Sequence, residues 1–295
     1  MKHLLSFLLS LLLVLPGCQH PGVQPAGPRR IVSFTPALTE IIFALGAGDD
    51  VVGVSDFCSY PPHAAAKQKI GGFFNPNYEL LLTLHPTDIF IQGSMQDLRR
   101  FGDNNAIRIH PVTLEDWCSV TNAIQQIGAS LGLPGRALKL RTDMARRWDA
   151  LRADTHSRPP VPVFLCVGRE AGPVAACATA GAHSFLTEAL HAAGGSNICL
   201  DVVGAYPTVA AEVLSVRNPP VIIDCMPGTR LSEKQYAARL NDWQSLDTVS
   251  AVADQAVILV TNDFVMVPGP RLVEIAELFN RCLLRARSTP DDPQQ

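Results

Sequence analysis

The sequence predicts an α/β protein of two similar lobes with mainly parallel sheets, joined by one long interdomain helix. Three observations lead to this fold class. Strand-like apolar runs alternate with helical segments, as is typical of parallel sheets covered by helices. One pattern of motifs occurs twice, once in each half of the chain. Between the two copies lies a helical segment of about 18 residues, which at 1.5 Å per residue reaches roughly 27 Å and can connect two domains.

The doubled pattern combines two motifs that keep their spacing in both halves. The first is Leu-Thr-Glu with a glycine seven residues after the threonine, and its copies are Leu38-Thr39-Glu40 with Gly46 and Leu186-Thr187-Glu188 with Gly194. The second is a glutamate followed seven residues later by a proline and a strand-like run, and its copies are Glu79 with Pro86 and Glu212 with Pro219. Two lobes of one design usually bind their ligand in the space between them.

The first residues of the chain predict export. Lys2 and the apolar residues 4–15 have the form of a signal peptide over residues 1–17, because the apolar run is shorter than the about 20 residues of a membrane helix. Cys18 ends a sequence that resembles the lipobox of bacterial lipoproteins. We expect a lipoprotein that faces the periplasm or the cell exterior and is membrane-anchored through this lipid alone; an ordinary cysteine beside a cleavage site is the alternative.

The chain divides into six predicted segments, which are the signal peptide (1–17), a Pro- and Gly-rich tether (18–28), the N-terminal lobe (29–133), the bridging helix (134–157), the C-terminal lobe (158–288) and a tail (289–295).

In the first lobe, a strand over residues 30–34 precedes a helix over residues 39–45. Gly46 ends this helix, because glycine readily adopts the left-handed conformation found at helix C-termini. The second lobe opens with a strand over residues 163–167.

A second helix of the first lobe carries one of the repeated glutamates. Asn77 is predicted to cap this helix, and Glu79 lies in its first turn. The helix must end near His85, because Pro86 cannot continue it. Residues 89–91 then form a buried strand.

Composition and motifs exclude several classes of function. A net charge of −3 without any basic run argues against nucleic-acid binding. The motifs of nucleotide-binding and hydrolytic enzymes are missing, so we expect neither catalytic residues nor a cofactor. The spacings of cysteine and histidine match no metal site, and we predict no metal ligands. Of the seven cysteines other than Cys18, Cys199 and Cys282 form one candidate disulfide pair.

Candidate ligand-binding residues lie in the loops that follow strands, where open α/β sheets bind ligands. The first lobe contributes aromatic side chains, from Phe57, Tyr60, Phe73 and Phe74. The second lobe contributes Tyr206 and Phe264 beside the charged Asp263 and Arg271. A broad, partly apolar ligand suits this set of residues. The alternative is that the aromatic rings fill the cores of their own lobes.

Several stretches of the chain resemble one known family, namely residues 30–40 (RIVSFTPALTE), 51–55 (VVGVS), 60–62 (YPP), 71–79 (GGFFNPNYE), 84–86 (LHP), 193–197 (AGGSN), 206–207 (YP), 261–264 (TNDF) and 269–271 (GPR). Together they resemble the periplasmic binding proteins of the vitamin B12 and iron-siderophore type, the helical-backbone substrate-binding proteins of ABC importers. The resemblance covers about residues 29–285. The YPP and GGFFNPN stretches are most similar to the vitamin B12-binding branch.

This resemblance implies two lobes that clamp a corrinoid, a vitamin B12-like cobamide, with little hinge motion and without any chemistry by the protein itself. It implies that Phe57, Phe73, Tyr206, Asp263 and Phe264 line the cleft. The chain departs from the vitamin B12 binders at Phe73 and Tyr206, where those proteins have tryptophans.

The resemblance also implies a partner. Glu79 and Glu212 match the two carboxylates that meet arginines on a two-fold symmetric ABC permease, which works with its ATPase. The alternative for both glutamates is structural, because a carboxylate in the first turn of a helix complements the helix dipole. We expect the protein to be a monomer.

Two other functions remain open from the sequence. The same class of protein transports ferric siderophores or haem, with Arg169 and Arg271 pairing to acidic groups of the cargo; for Arg169 a structural ion pair is the alternative. An exported metal-binding protein or enzyme that uses the same cleft is the third hypothesis.

Overall fold

The first half of the chain folds around a five-stranded sheet in the computed structural model, which describes residues 27–287. Its strands are β1 (Ile31–Ser33), β2 (Val51–Val54), β3 (Gln68–Lys69), β4 (Asp88–Gln92) and β5 (Arg108–Val112). They are arranged in the order β3-β2-β1-β4-β5, and every pair is parallel. The helices of this lobe are α1 (Pro36–Ala44), α2 (Pro62–Ala65), α3 (Tyr78–Thr83), α4 (Gln96–Asn104) and α5 (Trp117–Ser130), with a 3₁₀ turn at Gly48–Asp50.

The ends of these helices follow from their sequences. Helix α1 begins three residues earlier than predicted, because Pro36 suits a first turn that needs no N–H donor. It stops at Gly46, whose φ of 76° is left-handed. The side chain of Asn77 caps α3 by accepting a hydrogen bond from the N–H of Leu80 at 2.9 Å. The predicted cap and the predicted stop before Pro86 are both observed.

The predicted interdomain helix is α6 (Pro134–His156), which has 23 residues. At 1.5 Å per residue its length is about 35 Å. It packs against α5 of the first lobe and against two helices of the second, α7 (Phe185–Ala192) and α11 (Leu272–Arg287). Its buried stripe includes Met144 and Trp148. One continuous hydrophobic cluster therefore runs from the first lobe through α6 into the second.

The second lobe has a six-stranded sheet that is parallel except around one strand. Its strands are β6 (Val161–Gly168), β7 (Ala176–Thr179), β8 (Gly195–Asn197), β9 (Thr208–Ala210), β10 (Val221–Cys225) and β11 (Val257–Val260). The order is β11-β10-β6-β7-β9, with β8 beside the first residues of β6. Strand β7 is antiparallel to both of its neighbours. The remaining helices are α8 (Ala211–Arg217), α9 (Glu233–Asn241) and α10 (Ser250–Ala253), with a 3₁₀ turn at Asp242–Leu246.

The doubled sequence pattern corresponds to a doubled structure. Thr39 and Thr187 are both buried in the first helix of their lobe, where Thr39 donates to Ser33 Oγ and Thr187 donates to the carbonyl of Gly181, each at 2.8 Å. Gly194 has a φ of 84°, close to that of Gly46. After each glycine a strand pairs in parallel with the first strand of the lobe, β2 with β1 and β8 with β6. The prediction of two similar lobes is confirmed, and β7 is an insertion in the second.

The described cysteines are all unpaired. Cys199 and Cys282 are buried in different hydrophobic clusters, so the candidate disulfide between them is wrong. Burial raises the pKa of the Cys282 thiol to about 11. The predicted signal peptide and Cys18 lie outside the described residues, as does the predicted tail. Within residues 27–287, no helix combines the length and apolarity needed to span a membrane.

Candidate ligand-binding cleft

A cavity of about 590 Å³ opens at the carboxyl edge of the first sheet. Phe34 and Thr35, which follow β1, form one wall of it together with Pro36 at the start of α1. Gln92 at the end of β4 and the residues 113–115 after β5 form another. The loops after parallel strands therefore converge on one space, as expected for an open α/β sheet.

Four phenylalanines line this cavity, and they differ in burial. Phe34 is fully buried and belongs to the core of the lobe. Phe57 is 71% exposed and Phe74 is 94% exposed, so the alternative that these two rings fill the core is wrong. Phe73 is partly buried and meets Phe74 edge to face, with ring centroids 5.2 Å apart. A ligand that covers an exposed phenylalanine gains about 1.5–3 kcal/mol per ring from the burial of apolar surface.

The loop that carries Phe73 and Phe74 is held in a closed shape by its own backbone. Gly71 exchanges hydrogen bonds with Asp56, whose N–H donates to the Gly71 carbonyl at 3.1 Å and whose side chain accepts from the Gly71 N–H at 3.2 Å. Gly71 has a φ of 92°, and a Cβ there would lie 2.6 Å from the carbonyl oxygen of Asn75. Glycine is thus required at this turn.

Three predicted site residues from both lobes surround the guanidinium of Arg271, which was itself predicted. Arg271 lies 3.8 Å from the ring centroid of Tyr60 and 5.0 Å from that of Phe264, and it donates to Asp263 at 3.1 Å. It also donates twice to Glu40 of the first lobe, at 2.6 Å and 3.0 Å. Burial raises the pKa of Glu40, and the hydrogen bonds from Arg271 offset part of that rise. This cluster joins the lobes and is separate from the wall of the phenylalanine cavity.

Tyr206 stands apart from both groups. It lies on the loop before β9, is 43% exposed, and does not line the phenylalanine cavity. Burial of its phenol raises the pKa to about 12, although a hydrogen bond with Ser184 lowers it in part. The predicted set is thus divided into a cavity in the first lobe, a cluster between the lobes and a single tyrosine in the second.

Glu79 and Glu212 occupy equivalent places in the two lobes. Each is exposed in the first turn of its helix, α3 or α8. Strand β3, which precedes α3, runs parallel to β2 and β1. Strand β9, which precedes α8, is antiparallel to β7, and β7 is antiparallel to β6, so β9 and β6 run in the same direction. Both helices therefore start at the carboxyl edge of their sheet, on the side where the cavity opens. Among the described residues, neither carboxylate has an ion-pair or hydrogen-bond partner.

Arg169 is an internal residue. Its side chain is 1% exposed and donates to Asp224 and Asp242, each at 2.9 Å, beneath the ring of Trp243. The hypothesis that Arg169 pairs with an acidic cargo is wrong, because the guanidinium is buried against its own carboxylates. Over residues 27–287, no three histidine, cysteine or acidic side chains are placed to share a metal ion.

The sequence prediction missed several residues of the site. Thr35, Gln92 and Glu115 line the cavity, and each lies at or shortly after the carboxyl end of a strand, which could have indicated it. Glu40 was overlooked although the motif repeats it as Glu188. An acid within the apolar stretch of α1 signals a buried charge, which needs a partner.

Comparison with known proteins places the chain in a family. Residues 31–263 match the family described as periplasmic binding protein. A vitamin B12-binding protein of Photorhabdus laumondii is 27% identical over 280 residues, which cover 91% of this chain and 92% of the relative.

Solved structures agree with this assignment. The periplasmic vitamin B12-binding protein of Vibrio cholerae superposes with a TM-score of 0.73 at 26% identity, over 88% of this chain and 98% of that one. A periplasmic heme-binding protein of the same organism superposes with a TM-score of 0.75 at 22% identity, over 87% and 99%, and at that identity the likeness concerns the fold. The chain belongs to the periplasmic binding protein family and is an exported substrate-binding protein of an ABC importer.

Proposed function

We propose that this protein captures a corrinoid at the phenylalanine cavity and delivers it to an ABC permease. The observation that carries the proposal is the lining of the cavity, in which exposed rings of Phe57 and Phe74 stand beside Phe73 and a few polar groups. Such a surface fits a broad macrocycle with an apolar face and an amide rim, since the rings cover the face while Thr35, Gln92 and Glu115 offer hydrogen bonds.

The choice of corrinoid over haem rests on the metal-ligating groups. Haem iron is held in proteins by histidine, cysteine, methionine or tyrosine, and the cavity lining includes none of these residue types. Tyr206 does not line the cavity, and its hydroxyl already bonds with Ser184. The ring of Tyr60 lies under Arg271. The cobalt of cyanocobalamin carries its own axial ligands and needs none from the protein.

The choice of corrinoid over an acidic ferric chelate rests on charge. Arg271 is the arginine expected to meet such a cargo, and its donors are directed to Glu40 and Asp263. A cation that is paired with two carboxylates attracts a further anion weakly. The vitamin B12-binding relatives point the same way.

Delivery requires contact with the permease and a place at the membrane. We infer that Glu79 and Glu212, exposed and without partners in the described part of the chain, meet cationic side chains on a two-fold symmetric permease. A lipid on Cys18 would hold the mature protein at the membrane surface. Replacing Cys18 by serine is expected to release the protein into the soluble fraction; persistence in the membrane fraction contradicts the anchor.

Calorimetric titration of the mature protein with cyanocobalamin tests the cargo, with haemin and a ferric hydroxamate chelate as parallel titrants. We expect saturable binding of cyanocobalamin and weak or absent binding of the other two. Tighter binding of haemin or of the chelate than of cyanocobalamin rejects the proposed cargo. The absence of heat with cyanocobalamin at high micromolar concentration rejects it as well.

A further inference from the structure

The repeated Leu-Thr-Glu motif has a second property that neither the ligand cavity nor permease docking explains. In the first lobe, Glu40 of α1 crosses to the second lobe and accepts two hydrogen bonds from Arg271. Arg271 immediately precedes α11, the last described helix of the second lobe. The carboxylate of Glu40 is 97% buried, so this contact is shielded from water.

The second copy of the motif makes the reciprocal contact. Glu188 of α7 crosses to the first lobe, where its Oε2 accepts a hydrogen bond from the N–H of Trp117 at 2.5 Å. Trp117 is the first residue of α5, and its indole stacks on Trp148 of α6 with centroids 4.2 Å apart. An N–H in the first turn of a helix has no partner within the helix, and a carboxylate there also complements the helix dipole.

The two contacts are equivalent in the architecture of the lobes. Helix α5 follows the edge strand β5 in the first lobe, and α11 follows the edge strand β11 in the second. Each glutamate thus binds at the start of the helix that follows the edge strand of the opposite lobe. We propose that Glu40 and Glu188 form a pair of inter-lobe latches, which hold the two lobes at one fixed opening and so keep the cleft preorganised.

The positions of the latches along α6 explain why two are needed. The groove around Glu40 is lined by Leu140 and Arg147 of α6, and the groove around Glu188 by Arg152 and His156. The centres of these two stretches are about ten residues apart, which corresponds to roughly 15 Å along the helix. One contact leaves the lobes free to rotate about it, whereas two separated contacts and a shared helix prevent that rotation.

Glu40 and Glu188 are positioning residues, because they affect the cleft only by fixing the position of one lobe relative to the other. They do not depend on which ligand the protein binds, and the test below needs no ligand. If the corrinoid proposal fails, the latch proposal can still stand, and the converse also holds.

Distance measurement by electron paramagnetic resonance tests the latches. Spin labels are introduced through non-canonical amino acids at the exposed residues Gln96 of the first lobe and Lys234 of the second, so that native cysteines stay unlabelled. The variants are E40Q, E188A and their combination. The matched control is E277Q, which removes an exposed pair with Arg147 that joins α11 only to α6.

We expect the combined variant to widen the distance distribution about twofold, by more than the sum of the single variants, while E277Q leaves it unchanged. A combined variant with the wild-type distribution overturns the proposal. Should E40Q not fold, E188A alone decides. It is expected to raise hydrogen exchange at the Trp117 amide about tenfold and to broaden the distribution. An unchanged distribution in E188A overturns the proposal too.

Discussion

The two lobes share a frame and differ in what they place on it. Both have a buried threonine in the first helix, a left-handed glycine after it and a parallel strand that follows. At the carboxyl edge, the loops of the first lobe form a cavity walled by phenylalanines, whereas the loop after β11 in the second lobe brings Asp263 and Phe264 to Arg271. The repeated motifs therefore encode the shared frame, and the phenylalanines of the cavity lie outside those motifs.

Strand β7 is the main difference in topology between the two sheets. The insertion adds an antiparallel strand between β6 and β9, and the loop before β9 folds back onto it. The N–H of Gly181 donates to the carbonyl of Ala205, and the N–H of Thr179 to that of Pro207, each at 2.8 Å. A Cβ on Gly181 would lie 1.9 Å from the carbonyl oxygen of Gly204. The loop before β9 is thus packed backbone against backbone beside the end of β7.

The largest expected effect concerns the exposed glutamate that both lobes place in the first turn of a helix, Glu79 in α3 and Glu212 in α8. The double charge reversal E79K and E212K is expected to abolish uptake of labelled cyanocobalamin by cells, because two cations would face the cationic permease, while ligand affinity stays unchanged. The control is E233K, an exposed acid in the first turn of α9. Normal uptake by the double variant, or weakened ligand binding, would return both acids to a structural role.

The next expected effect is on stability and concerns two buried aspartates, each on a strand that lies beside an edge strand of its sheet. Asp88 of β4 accepts hydrogen bonds from Arg108 and His110 at 2.8 Å, as Asp224 of β10 does from Arg169 at 2.9 Å. We expect D88N and D224N each to lower the free energy of unfolding by about 2 kcal/mol, since each removes a buried carboxylate that accepts hydrogen bonds from an arginine. Urea unfolding measures both changes. If the free energy of unfolding falls by less than about 1 kcal/mol in one variant, the aspartate replaced in that variant does not stabilise its lobe as proposed.

The buried Asp88 also leads to a prediction about how the stability of the protein depends on pH. Burial acts to raise the pKa of its carboxyl, but hydrogen bonds from His110, Arg108 and Thr87 outweigh burial and hold the pKa well below its usual range. A carboxyl whose pKa is lower in the folded state than in the unfolded state stabilises the fold at pH values above its unfolded pKa of about 4. This stabilisation is lost progressively as the pH falls below that unfolded pKa. The stability difference between the wild type and D88N is therefore expected to shrink from pH 6 to pH 3, as urea titrations at each pH can measure. A constant difference contradicts this assignment.

A smaller effect is expected from the ligand wall of the first lobe. Replacing Phe57 and Phe74 by alanine should weaken cyanocobalamin binding about 30-fold, near 2 kcal/mol, because both rings lose the burial that the ligand provides. Both rings are largely exposed, so the fold should tolerate the change. Leu138 is 64% exposed on α6 and lines neither the cavity nor the cluster around Arg271, which makes L138A the control. Calorimetry that finds equal affinities for the two variants places the ligand elsewhere.

The smallest effect is expected from the second lobe. Removing the hydroxyl of Tyr206 in Y206F should change the affinity by less than about threefold, since that hydroxyl already bonds with Ser184. With a pKa of about 12, the phenol stays neutral, so this group should add no pH dependence to binding between pH 6 and pH 10. A larger loss in Y206F than in the phenylalanine variant would reverse the proposed division between the lobes.

Local features of the chain were predictable because neighbouring residues decide them. Gly46 and Asn77 set the end and the start of their helices through short-range hydrogen bonds. The apolar stripe of α6 predicted a long connecting helix, and the repeated intervals predicted two similar lobes. Phe57, Phe73 and Phe74 were predicted from their positions in loops that follow strands, and they line one cavity.

Other features depended on contacts between distant parts of the chain. Glu40 and Arg271 are 231 residues apart, and no local pattern pairs them. Arg169 looked like a loop arginine, yet the fold buries it against Asp224 and Asp242. The direction of β7 was also hidden, since a short strand has the same composition in either orientation.

By itself the sequence determined two α/β lobes, the helix between them and the loop aromatic residues that line the cavity, because hydrophobic periodicity, caps and turns act over a few residues. Only the tertiary structure decided which lobe holds the cavity and which charges join the lobes. The charges that join the lobes depend on the burial of Glu40 beside Arg271. A buried charge needs a partner, and only the packed fold determines which partner is within reach.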